Sequence, residues 1–119
     1  MELRKVTDSI EQCIADIKTG LKQLKPRAKR KAQTIARYEK ELAKIIIRLR
    51  NGDEIELDNE WIKDPPVTVI EKIARGICFQ EKLDMELADA EYKNAVAGLD
   101  AIKAELNGFQ SINRYQSEH

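Results

Sequence analysis

The chain has 119 residues, 35% of them charged, 42% apolar and 5% aromatic, with a formal net charge of zero. That length bounds it to one domain, and the low aromatic content favours long amphipathic helices over a broad globular core. No apolar run approaches the ~20 residues that span a bilayer, and the start "MELRKVTDSIEQ" has no signal-like apolar stretch, so a cytoplasmic protein without membrane contact is expected.

The first element is a long helix over about 3–50. Leu3, Ile10, Ile17, Leu24, Lys31, Tyr38 and Ile45 recur every seven residues, and Ile14, Leu21, Ala28, Ile35, Leu42 and Leu49 form a second series offset by four. Such a sustained heptad pattern predicts a coiled-coil-like helix of about 70 Å at ~1.5 Å per residue. Pro26 removes a backbone donor inside it. Because the rhythm keeps its phase across Pro26, a kinked but continuous helix is expected, the alternative being a short helix ending near Leu24.

Asn51-Gly52 reads as the helix stop, followed by an acidic loop over 51–68. "EIEL" alternates like a strand but lacks an evident partner, so an irregular loop is expected, with Trp61 and Ile62 docked on the helices. Pro65-Pro66 forces extended backbone. "TVIE" then reads as a capping box, Thr68 opening a short helix of about 69–75 with Glu71 reaching back, and Gly76 ending it.

A second long helix follows over about 77–115. Cys78, Met85, Tyr92, Leu99 and Leu106 form one seam series, and Ala88, Ala95, Ile102 and Phe109 the other. The expected fold is all-α: a single-domain, long antiparallel helical hairpin with a short connecting helix. A lesser stripe on the second helix, at Leu83, Leu87, Ala90, Ala97 and Ala101, suggests self-association, a dimer first, into a helical bundle. Solvent-facing alanines chosen for helix propensity are the alternative.

Charge divides along the chain. Residues 18–50 hold twelve Lys/Arg against Glu39 and Glu41, residues 53–64 hold six acids against Lys63, and residues 81–105 hold seven acids against three bases. The densest basic stretch, "LKQLKPRAKRK", carries Lys22, Lys25, Arg27, Lys29, Arg30 and Lys31 without an acid. These six residues spread around the helix, and they either neutralise acids on the second arm or contact phosphates in a salt-dependent, sequence-independent way. Lys31 at a seam position favours the second view, because coiled-coil seams seldom hold lysine.

No catalytic or cofactor pattern stands out. A glycine-rich phosphate loop, HExxH and a nucleophile elbow are all missing, and the carboxylates sit at solvated helical positions. The acidic cluster Asp53, Glu54, Glu56, Asp58, Glu60, Asp64 fails EF-hand spacing, with Ile55 at a ligand position. Cys13, Cys78 and the single His119 form no zinc-ligand set, and free buried thiols are expected. The expectation is a protein that is neither an enzyme nor a cofactor carrier.

"PVTVIEKIARG", with Pro66, Thr68, Ile70, Ala74, Arg75 and Gly76, precedes "LADAEYKNAVAGLDAIKAELNGFQSINRYQ", with Ala90, Tyr92, Lys93, Leu106, Asn107, Gln110, Ser111 and Ile112. Together these resemble a group of uncharacterised small helical proteins encoded by tailed phages and prophages of Gram-positive bacteria. The likeness covers residues 66–115, about half the chain, and the acidic segment 53–64 departs from the group's usual short hinge. The resemblance implies an accessory protein in an early phage DNA transaction, a helical module engaging a partner protein or DNA. The alternative is a structural coiled-coil scaffold, or an inhibitor of a host protein, without nucleic-acid binding.

Overall fold

The computed structural model describes residues 2–118, so His119, the chain's one histidine, lies outside the described residues. Helix α1 (Leu3–Arg50) leads to strands β1 (Ile55–Leu57) and β2 (Glu60–Ile62). A 3-10 turn (Val67–Val69), the short helix α2 (Ile70–Ile77) and the long helix α3 (Phe79–Glu118) complete the chain. α1 packs along α3 as a helical hairpin. The chain divides into two compact units, one formed by residues up to Lys29 with those from Ala90 onward, the other by Arg30–Asp89.

α1 is continuous, with Pro26 inside it. The proline deprives the Lys22 carbonyl of its usual donor. Both residues are exposed, so the cost falls on an already solvated face. The helix ends as "RNG" predicts. Gly52 takes φ 83°, the Asp53 N–H donates to the Arg48 carbonyl at 3.0 Å, and the Gly52 N–H donates to the Leu49 carbonyl at 3.3 Å. This pair of bonds is a Schellman cap, which needs a left-handed residue at the Gly52 position.

In the unit Arg30–Asp89 the core gathers Leu49, Ile55, Ile70 and Ala74, with Leu42, Ile45, Ile46, Ile62, Ile73 and Ile77 packed against it. The loop expected over 51–68 is not irregular. β1 and β2 pair antiparallel, Ile55 facing Ile62, Glu56 facing Trp61 and Leu57 facing Glu60. The missing partner strand lies in the loop itself. Asp58 (φ 51°) and Asn59 (φ 67°) supply the two left-handed residues that a tight type I′ turn requires. Period-two alternation puts Ile55 and Ile62 on the core side and turns Glu56 and Trp61 outward. Ile62 therefore docks as expected, whereas Trp61 is exposed.

The capping box is not formed. Thr68 sits within the 3-10 turn, the residues before that turn and before α2 are Pro66 and Val69, and neither provides a side-chain cap. Glu71 pairs instead with Arg75 at 2.6 Å, one helical turn on. Thr68→Ala is therefore expected to leave the unfolding free energy, measured by thermal melts, within about 0.5 kcal/mol of the parent; a loss of ~1 kcal/mol would restore the cap. Gly76 does not stop α2, which runs to Ile77. The break comes at buried Cys78 (φ −88°, ψ 25°), one residue before α3 begins.

In the other unit, α3 presents Tyr92, Ala95, Leu99, Ile102, Leu106 and Phe109 to α1, the seam read from the sequence; all are buried or half-buried. α1 is rotated from its expected phase. Ile10, Ile17 and Leu24 lie in the seam, but their companions are Val6, Cys13, Gly20 and Arg27, while Ile14, Leu21 and Ala28 are exposed. Gly20 explains the rotation locally: a Cβ there would stand 2.5 Å from Leu99 Cδ2. The leucine of α3 fills the space that the missing side chain leaves.

Candidate functional site

The rotation of α1 separates the basic stretch into distinct roles. Arg27 and Lys31 turn toward the seam and are half-buried. The Lys31 ammonium pairs with Asp89 at 3.1 Å, and Arg27 donates to Gln23 Oε1 at 3.3 Å. Arg30 is exposed yet engaged within the chain. Lys22, Lys25 and Lys29 stay exposed, and among the described residues no ion pair involves them. Lys18, one turn earlier, completes a row at spacings of four, three and four, one outward face of a helix. Lys18 was missed in the sequence because it stands outside the dense run; helical spacing from Lys22 was the signal that could have found it.

Beside that row runs an apolar one. Leu3 is 48% exposed, Ile14 40% and Leu21 51%. Lys18, Lys22 and Lys25 stand three, one and four residues from Leu21, which is framed by ammonium groups, while Ile14 stands between Glu11 and Lys18. On α3, the expected oligomer row is exposed throughout. Leu83 and Leu87 lie in the unit Arg30–Asp89, and Ala90, Ala97 and Ala101 in the other.

The opposite side of the same arm is hollow. A cleft of about 450 Å³ is lined by Asp16, Gly20, Gln23, Arg27, Glu91 and Gly98, among others. Its open wall is at Gly98, whereas the space beside Gly20 is taken by Leu99. Gly98 borders open space, with no atom within 4 Å of a Cβ built there. Polar atoms on its wall are tied locally: the Gln12 side-chain amide donates to Asp16 Oδ1 at 2.9 Å.

Both cysteines are free and buried. Burial, then the carboxylates of Glu105 and Asp16, push the Cys13 thiol above its ordinary value of 9.0; burial, then Glu81 and Glu41, do the same to Cys78. The folded thiols thus hold protons that the unfolded chain releases. Stability must fall as pH rises through about 9, where the unfolded chain binds fewer protons. Thermal melts between pH 8 and 10 should show a shallower decline for the Cys13→Ala/Cys78→Ala variant than for the parent; equal declines would contradict the burial of the thiols.

Among the described residues no three His, Cys, Asp or Glu side chains form a group that could hold a metal ion. The acidic segment spends Asp53 on Arg48 at 3.8 Å and Glu54 on Lys63 at 3.9 Å. Tyr38, a seam residue, carries the Lys82 ammonium 5.4 Å from its ring centre. Among the described residues no helix is long and apolar enough to cross a membrane. No family model, curated protein or solved structure matches the chain.

Proposed function

We propose that this chain is a non-enzymatic, cytoplasmic, self-associating helical interaction module. The observation that carries the reading is the uncovered apolar row Leu3, Ile14 and Leu21 on an arm of only two helices. In that unit the buried apolar residues are Val6, Cys13 and Leu99, little for two long helix segments to share. Helices draw most of their stability from a covered apolar face, and a partner helix supplies that cover. Sedimentation equilibrium at tens of micromolar tests it; a strict monomer would end the reading. The two exposed rows are separable: Leu21→Glu breaks an assembly built on α1, and Ala97→Glu one built on α3.

A second reading, contact with nucleic acid, rests on the row Lys18, Lys22, Lys25 and Lys29. Replacing these four by glutamine, a residue of similar helix propensity, should abolish retention of duplex DNA in a gel shift and leave helicity intact. Retention by the parent should weaken linearly in log–log with salt, in proportion to the phosphates neutralised. The resemblance to phage and prophage proteins would place such contact in an early phage DNA transaction. Absence of retention at low salt leaves the alternative, a structural scaffold or an inhibitor of a host protein.

A further inference from the structure

We infer that one copy of this chain docks the lysine-framed apolar ridge of its α1 arm into the glycine-floored cleft of a second copy. The inference rests on the self-association reading and specifies its partner surface and geometry. The ridge is Ile14 and Leu21 with Lys18, Lys22 and Lys25 around them. The cleft is the hollow at Gly20 and Gly98, bordered by Asp16 and Glu91.

Three observations select a second copy as the occupant. The first is charge. The ridge carries Lys18, Lys22 and Lys25 with Glu11 at its Ile14 end, whereas the cleft is lined by Asp16 and Glu91 with Arg27. Complementary fields of this kind steer and orient association. The second is shape. An open hollow of about 450 Å³ between two helices has room for more than one large aliphatic side chain, and glycine on its wall allows a helix to approach closely. The third is area. The segment Leu3–Lys29 spans about 40 Å at ~1.5 Å per residue, and a helix pair is roughly 20 Å wide. One face of the arm therefore offers about 800 Å², the share that each partner contributes to a standard interface.

Ridge and cleft lie on opposite sides of one arm, because none of the ridge residues lines the cleft. A copy that gives its ridge still has its cleft free. The contact is therefore heterologous, and it propagates into a ring or an open chain unless it is capped.

Two variants that break opposite halves test this. Leu21→Glu places an anion on the ridge, where it meets the acids of the cleft. Gly98→Lys fills the cleft and repels the ridge, and the space around Gly98 accommodates it without a steric conflict at Cβ. The parent should show a sedimentation-velocity mass that rises with concentration beyond a dimer. Each variant alone should be monomeric with unchanged circular dichroism, its self-association at least tenfold weaker. An equimolar mixture should form a 1:1 complex that grows no further, because each variant retains the half that the other has lost. That rescue also shows that both variants are folded. A parent that stops at a dimer, with no rescue in the mixture, would overturn ridge-in-cleft docking while leaving self-association standing. A monomeric parent would remove both. A monomeric parent that retains duplex DNA through Lys18, Lys22, Lys25 and Lys29 would assign the ridge to nucleic acid and overturn the inference.

Discussion

Leu49→Ala is expected to cost about 3 kcal/mol, within the range for emptying a well-packed leucine site. Leu49 is 2% exposed and joins Ile55, Ile70 and Ala74 in one cluster, so it holds β1 and α2 onto the end of α1. Two residues earlier, Ile47 is 59% exposed. Ile47→Ala should therefore change stability by no more than about 0.5 kcal/mol, although both changes delete large aliphatic side chains from the same helical turn. Urea denaturation of both variants beside the parent gives the comparison directly. Amide exchange should localise the damage: in Leu49→Ala the β1–β2 amides should lose protection, because their strand face rests on that leucine. Equal losses from the two variants would mean that the Arg30–Asp89 core is not built around Leu49.

The heptads explain why α3 was readable and α1 only half so. On α3 the two series with the larger residues, Tyr92, Leu99 and Leu106 with Ile102 and Phe109, outweigh the mostly alanine stripe, and the seam follows them. On α1 a third series, Ile14 and Leu21, competed with Val6, Cys13 and Gly20 to accompany the shared Ile10, Ile17 and Leu24. Ile14 and Leu21 outweigh Cys13 and Gly20 on any hydrophobicity scale, yet Cys13 and Gly20 face α3. Side-chain size on the partner decided the phase, and a sequence read one helix at a time does not weigh it. Farther along, the same third series is no surplus: Leu42 and Leu49 meet α2 and the strands in the Arg30–Asp89 core.

The connecting segment failed for a different reason. The alternation of "EIEL" registered, but its partner, the three residues Glu60–Ile62, is too short to show one, and the turn signal was Asp58-Asn59 in place of the more familiar Asn-Gly. Both residue types tolerate positive φ because their short polar side chains bond locally. "TVIE" carried the opposite error, a valid local motif overridden when Pro65-Pro66 led into a 3-10 turn ahead of the helix. In the basic stretch the residue types were visible but their division was not. Seven consecutive positions of a helix face all directions, and only the phase of the seam separates Lys31, paired with Asp89, from Lys22, Lys25 and Lys29 on the outer row.

Gly20→Val is expected to cost about 2 kcal/mol, against the sign that helix propensity alone would give. Glycine inside a helix is about 1 kcal/mol worse than alanine, and valine is better than glycine, so an exposed site would be stabilised. Here the new Cβ would lie 2.5 Å from Leu99 Cδ2 and 3.1 Å from its Cγ. Leu99 is itself buried and cannot swing away freely. Valine is the informative choice because its branch at Cβ leaves few rotamers by which to escape, and forcing methyls into a filled seam costs roughly 1–3 kcal/mol. Leu99→Ala should also destabilise, by emptying the space beside Gly20. The double variant should be more stable than the sum of the two losses predicts, since the valine methyls then occupy what the leucine vacated. A thermodynamic cycle by urea denaturation, at a concentration low enough to suppress association, measures that coupling. Strict additivity would show that Gly20 and Leu99 do not meet, and the rotated seam of α1 would fall with them. A coupling of about 1 kcal/mol or more would place the glycine under the leucine, which leaves Ile14 and Leu21 no place in the seam and turns them outward.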